Sequence, residues 1–232
     1  MPVILNFTKE EKEKLKAKWK QYKKIGKPSN EGNCYLFDNT VYKIYDEDFY
    51  ELYKYSHTPL CKCDLNLESF IFPTEIYTHG EENYLFGYIS TPYVEKDALN
   101  ISLLRKHIIP DINKIKDALK VLIEDIYVLS RNNIDAIDFK KRNLLFDGNK
   151  FYVIDTLDYE IVDENTYSNN INRLIEAIAC FIIDCETANY AFGVSKEELH
   201  LDEVERLIEY IDETAKKIQE EYKDKEVQKI KK

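Results

Sequence analysis

An α+β fold is predicted by three features of the sequence. Short β-type runs crowd residues 25–89, long runs with apolar residues every three or four positions begin beyond residue 98, and a further pair of short apolar runs interrupts the helical part. Strands gathered before helices place a sheet in the first half and a helical body in the second. No internal repeat, low-complexity tract or Gly/Ser linker is present, and the one boundary falls near Thr91.

The chain has 232 residues, 44% of them hydrophobic and 13% aromatic, which is enough to bury a core and excludes disorder. A net charge of −10 and a pI near 5.1 argue against a general nucleic-acid-binding face, since phosphate neutralisation needs a basic surface. No window approaches a membrane-spanning apolar run, and MPVILNFTKEEK lacks a signal peptide's basic start, so a soluble, cytoplasmic protein with no membrane association is expected. Cys34, Cys61, Cys63, Cys180 and Cys185 lack framework spacing and are expected as reduced thiols. Cys61 and Cys63 have no second Cys or His pair to complete a zinc set.

Taken in order, Thr8 with Glu11 forms a capping box, and Leu15, Trp19 and Tyr22 share a helical face, which predicts a helix over 9–24. Trp19 is expected to pack on the following sheet. Eight lysines on the other faces read as a solvated surface, or as an attraction for an acidic partner. Three strands follow: Ile25 to Lys27, Asn33 to Phe37, and Thr40 to Tyr45 after an Asp38-Asn39 turn. Asp46 to Ser56 reads as a short helix. Ser69 to Ile76 and Tyr84 to Ile89 complete a sheet of five antiparallel strands. Beyond Ser90-Thr91-Pro92-Tyr93-Val94, helices are expected at Ala98 to His107, Asp111 to Arg131, Asn170 to Tyr190 and Glu197 to Lys229.

The chemistry concentrates between Asn133 and Glu160. Phe146-Asp147-Gly148-Asn149-Lys150 is a turn cluster between the apolar runs Leu144 to Phe146 and Phe151 to Ile154, hence a hairpin. Asp138 and Asn143 precede it and Asp155 follows it, which brings three oxygen-bearing side chains together as a hard cation such as Mg²⁺ requires. The alternative for such residues is an ordinary turn role flanking a surface hairpin.

Ala136-Ile137-Asp138-Phe139-Lys140-Lys141-Arg142-Asn143, followed twelve residues later by Asp155-Thr156-Leu157, resembles the protein-kinase superfamily, with its catalytic loop and later metal-binding aspartate. The resemblance implies a bilobal fold: a helix over 1–24 packed on an N-terminal lobe of 25–90, and a helical C-terminal lobe over 91–232. It also implies the roles of the site residues. Asp138 accepts the proton of the attacking hydroxyl, Lys140 stabilises charge, Asn143 and Asp155 hold Mg²⁺, and Leu145 floors the adenine pocket. Val41-Tyr42-Lys43-Ile44 is similar to the family's strand carrying the phosphate-binding lysine, with Val41 against adenine and Lys43 on the phosphates, although a lysine there also reads as an outward-facing edge residue. Gly32 and Cys34 fall where the glycine-rich loop ends. Pro92 and Tyr93 fall in the hinge, whose backbone groups bond adenine in the family. Glu51, or else Glu47 or Glu68, is the expected partner of Lys43.

The departures matter as well. Ala136 and Ile137 replace a histidine and an arginine, Thr156-Leu157 replaces Phe-Gly, and about fourteen residues separate Asp155 from the next predicted helix, so no peptide-cradling segment is expected. The resemblance therefore implies an ATP- and Mg²⁺-dependent phosphotransferase acting on an unidentified protein or small-molecule hydroxyl. Its alternatives are a pseudokinase serving as a nucleotide-binding or interaction module, and a kinase fold that transfers AMP.

Overall fold

The computed structural model describes residues 2–26, 31–46, 65–95 and 112–182, with four isolated helical positions at Glu209, Glu213, Lys216 and Glu220. The expected helices at Asp46 to Ser56 and Ala98 to His107 lie outside the described residues, apart from Asp46. So do Glu47 and Glu51, and most of 197–229.

The architecture is mixed α+β. A six-stranded, mostly antiparallel sheet has the order β1-β5-β6-β4-β3-β2, from β1 (Val3–Phe7), β2 (Lys23–Ile25), β3 (Gly32–Phe37), β4 (Thr40–Tyr45), β5 (Pro73–His79) and β6 (Tyr84–Ser90). Five strands were expected; the sixth, β1, runs parallel to β5 with Val3 opposite Glu75 and Phe7 opposite His79. Its partner is remote in sequence and its side chains are largely exposed, so neither a turn nor an apolar alternation announced it.

Helix α1 (Lys9–Trp19) starts at the expected capping box, with Thr8 N–H donating to Glu11 at 2.8 Å and Glu11 N–H donating to Thr8 at 3.3 Å. It stops at Trp19 and not at residue 24. The reason is tertiary: Lys23–Ile25 is drawn into the sheet opposite Leu36, Tyr35 and Cys34, and Tyr22 stacks on Phe37 with ring centroids 4.6 Å apart. The strand expected at Ile25 to Lys27 is thereby shifted toward the N-terminus.

The lysine face of α1 also differs from a fully solvated one. Lys12 and Lys16 are buried, and Lys16 Nζ donates to the Tyr45 carbonyl at 3.2 Å. Lys12 Nζ lies 3.5 Å from Glu13. Trp19 packs on the sheet as expected, edge-on to Tyr77 at 4.8 Å and tilted against Tyr42 at 5.2 Å.

The β3–β4 turn uses Asp38 and Asn39, both with positive φ (46° and 59°), the geometry of a two-residue hairpin matched to strand twist. The strand expected from Ser69 begins only at Pro73. Ser69 to Ile71 instead bonds to the hairpin of the second half: Val153 N–H donates to Ser69 O at 2.8 Å, and Ile71 N–H to Val153 O at 2.9 Å.

The second half is built on α2 (Ile112–Arg131) and α3 (Tyr167–Ile182). The periodicity of α2 is carried through: Ile115, Leu119, Leu122, Ile126 and Leu129 are fully buried. Between the helices lie β7 (Ile134–Asp135), a 3₁₀ turn (Lys141–Asn143), the hairpin β8 (Leu144–Phe146) and β9 (Phe151–Val153), and β10 (Glu160–Ile161), which pairs with β7. The hairpin turn is local chemistry: Asp147 accepts from the N–H groups of Asn149 and Lys150 at 2.8 Å each, and Gly148 takes φ 102°.

Two apolar cores result. One joins α2, α3 and the hairpin around Leu119, Leu144 and Leu174; the other lies under the sheet around Trp19, Ile76 and Phe86, and takes in Leu157 from beyond the hairpin. Asp125 of α2 ties the halves, its carboxylate accepting from Ser69 N–H at 2.6 Å and Glu68 N–H at 3.2 Å.

Candidate functional site

A cleft of about 290 Å³ opens between the sheet and the β8–β9 hairpin. Gly32, Cys34, Val41, Lys43, Pro92, Tyr93, Asn143, Leu145 and Asp155 all line it. These residues come from β3, β4, the segment after β6, the 3₁₀ turn, β8 and the end of the hairpin. Val41, Leu145, Ile71 and Ile154 supply apolar walls, and charged groups gather at one end.

Sheet register explains the sheet side. Lys43 sits opposite Cys34 on β3 and Tyr88 on β6, in the middle of the sheet, and is not the outward edge residue that was the alternative. Its side chain is only 7% exposed, and Nζ donates to Asp155 Oδ1 at 2.7 Å and to Glu31 Oε2 at 3.3 Å. The Tyr45 ring lies 5.1 Å from the ammonium. Burial opposes the lysine's charge, but Tyr45, Asp155 and Glu31 outweigh it, so the group is held above the usual lysine range.

Backbone bonding explains the hairpin side. Ile154 N–H donates to Asn143 O at 2.9 Å, which sets the residue after β9 beside the 3₁₀ turn. Asp155 then takes φ 60°, a left-handed conformation that aspartate tolerates better than most residues. Thr156 anchors the exit by donating its hydroxyl to Ile71 O at 3.0 Å. The Tyr88 hydroxyl donates to Asp155 Oδ1 at 2.9 Å, and burial followed by the Asp155 charge pushes that phenol well up.

Asp138 and Lys140 stand beside the cleft. Asn143 Nδ2 donates to both the carbonyl and Oδ2 of Asp138, at 2.9 Å each. Lys140 Nζ bonds Asp138 Oδ1, and Arg142 Nη2 reaches Oδ2 at 3.2 Å. Burial raises the Asp138 carboxyl, but the bonds from Lys140 and Arg142 prevail and hold it below the usual carboxylate range. The strand preceding it is fixed by Asn170, fully buried on α3, whose Oδ1 accepts from Ala136 N–H at 2.9 Å while Nδ2 donates to Ile134 O at 2.8 Å.

Several expectations are corrected. Glu68 is not the partner of Lys43: it is 69% exposed and 3.8 Å from Lys150. Among the described residues Lys43 pairs with Asp155 and Glu31. Glu51 lies outside the described residues. Gly32 has φ 153°, and a Cβ there would lie 2.1 Å from Ile44 O, so what approaches this glycine closely is the backbone of β4. The Tyr93 N–H donates to Asn39 O at 2.9 Å and is not spare for a ligand.

Glu31, Tyr88, Asn170 and Arg142 were missed as site residues. Pairing of β4 with β6 would have revealed Tyr88, but that register is not written in either strand alone.

The donor set suits a hard cation with few protein ligands. Asp155 Oδ2 accepts no hydrogen bond among the described residues, and Asn143 has Oδ1 left after its amide nitrogen is used. No group of three or more His, Cys, Asp or Glu residues able to hold a metal occurs among the described residues. Two oxygens completed by water and phosphate is the pattern Mg²⁺ favours and a protein-caged metal does not. No described helix is long and apolar enough to cross a membrane. No protein-family model fits the chain and no curated protein matches it.

Proposed function

We propose that this chain is a minimal, bilobal protein-kinase-like phosphotransferase that uses ATP and Mg²⁺ and acts on a protein or small-molecule hydroxyl. One observation carries the reading. Lys43 and Asp155, which are 112 residues apart in sequence, meet at 2.7 Å at the charged end of an apolar-walled cleft, with Asn143 and Asp138 beside them.

In this reading Val41, Ile71 and Leu145 sandwich the base, and the volume is near the lower bound of pockets that hold small ligands. Lys43 attracts the phosphates while Glu31 keeps its ammonium pointed into the cleft. Asp155 and Asn143 would hold Mg²⁺, which would supply charge neutralisation on the phosphates. Asp138 aligns the acceptor hydroxyl, whose oxygen forms a bond to the γ-phosphorus as the bond to the bridging oxygen breaks. ADP leaves and the hydroxyl proton passes to Asp138. A carboxylate with a depressed pKa is a weak base, so its chief contribution is orientation, with proton acceptance late.

The engagement of Asp138 by Lys140, Arg142 and Asn143 favours a second reading, a nucleotide-binding module without turnover. ATP labelled on the α or γ phosphate, offered with Mg²⁺ to the protein and a cell lysate, tests both, with Asp138→Asn alongside. Transfer of γ label that vanishes in the variant supports the phosphotransferase. Binding with no transfer supports the module, and movement of α label means AMP transfer.

A further inference from the structure

We propose that Arg142 binds the terminal phosphate of the nucleotide, exchanging its contact with Asp138 for that phosphate, so that the cleft discriminates triphosphate from diphosphate. The inference rests on the ATP-binding reading above and adds a residue that reading does not use.

Arg142 stands on the 3₁₀ turn and lines the cleft next to Asn143, at the end where Lys43 and Asp155 meet. Its side chain is 63% exposed. Both of its contacts with Asp138 run through one nitrogen: Nη2 lies 3.2 Å from Oδ2 and 3.4 Å from Oδ1. The planar fork that makes arginine effective against carboxylate and phosphate is thus hardly used, and Nη1 and Nε have no hydrogen-bond partner among the described residues. An exposed pair of this form contributes little and is readily traded. Asp138 keeps Lys140 and the Asn143 amide when the arginine leaves.

The charge balance points the same way. Among the described residues Lys43 bridges Glu31 and Asp155 while Lys140 and Arg142 both engage Asp138, so Asp138 has a cation to spare and Arg142 can turn to an incoming phosphate. Lys43 is buried between two carboxylates and cannot travel. Among the described residues Arg142 is the exposed cation that also lines the cleft.

The test is calorimetric titration of ATP and of ADP, each with Mg²⁺, onto wild type, Arg142→Ala and Arg142→Lys. Arg142→Ala is expected to lose about ten- to a hundredfold in ATP affinity while ADP affinity changes less than about twofold, with partial recovery in Arg142→Lys. Equal losses for both nucleotides, or no loss, would overturn the proposal and leave Arg142 as a brace for Asp138, with the nucleotide reading intact. Wild type that binds neither nucleotide would overturn the nucleotide reading itself. Circular dichroism of each variant checks that it is folded.

Discussion

Tyr88 and Lys43 share one acceptor: the phenol at 2.9 Å and the ammonium at 2.7 Å both donate to Oδ1 of Asp155. That concentrates the donors on one carboxylate oxygen and leaves Oδ2 for a cation. Tyr88→Phe is therefore expected to cost about 0.5–1.5 kcal/mol of stability, the net worth of one hydrogen bond. It should also weaken Mn²⁺ binding in the presence of ATP about tenfold if Asp155 holds the metal as proposed, because that carboxylate loses its orienting partner. Chemical denaturation and paramagnetic Mn²⁺ titration measure the two; unchanged Mn²⁺ affinity would remove the hydroxyl from the site.

Lys43→Met removes the ammonium that Asp155 and Glu31 share. The carboxylates retain 29% and 37% exposure, so they rehydrate in part, and the loss should be about 1–3 kcal/mol, below that of a fully buried pair. ATP binding should disappear. A variant that still binds ATP with wild-type affinity would argue against the phosphate role of Lys43.

Acid stability carries a sign for each group. The folded pKa of Asp138 is lowered, so its stabilisation is fully present above the ordinary aspartate value of about 3.9 and is lost as pH falls through the lower folded value. Asp125 acts oppositely: burial raises it despite the Ser69 and Glu68 N–H bonds, so its protonation favours the fold. Lys43 is raised, and its contribution is complete below the ordinary lysine value of about 10.4 and is lost above it. Urea midpoints of wild type minus Asp138→Asn should be flat from about pH 5 to pH 9 and shrink below about pH 4.

Asn170→Ala should cost about 2–4 kcal/mol, because it strands the Ala136 N–H and the Ile134 carbonyl in a dry interior. Both precede Asp138 in the chain, so phosphoryl transfer should fall more steeply than nucleotide affinity. Parallel measurement of stability, affinity and turnover checks the ordering.

Gly87→Ala places a Cβ 2.5 Å from Lys43 O and 3.0 Å from Trp19 Cζ3. Forcing β4 and β6 apart should destabilise by about 1–3 kcal/mol and shift the neighbouring lysine. A melting temperature equal to wild type would contradict this packing.

What could be read in advance follows from how local the cause is. The β8–β9 hairpin was legible because its turn residues and flanking apolar runs are contiguous, and α2 because its apolar stripe is long and regular. The end of α1 was not, since lysine-rich sequence suits a helix and only sheet pairing turns Lys23–Ile25 into a strand. Asn143 and Asp155 could be singled out by residue type and spacing, and Lys43 by the resemblance of its strand to the kinase family's. Glu31, Tyr88 and Asn170 could not, because each meets its partner across an interface whose register depends on the assembled fold.

Trp19 is the chain's single tryptophan, and it lies at 2% exposure in the core beneath the sheet, while the core around α2 and α3 contains none. The molecule thus carries a built-in optical label on one half only. Indole emission follows the sheet, whereas far-ultraviolet circular dichroism is weighted toward the long helices. Leu157, together with the bonds of Lys43 and Tyr88 to Asp155, joins the sheet to the second half, so superimposable melts by the two signals would mean that these links make one cooperative unit. Separated melts would mean that the cleft lies on a seam between independently opening parts, and a ligand bridging that seam would bring the two curves together.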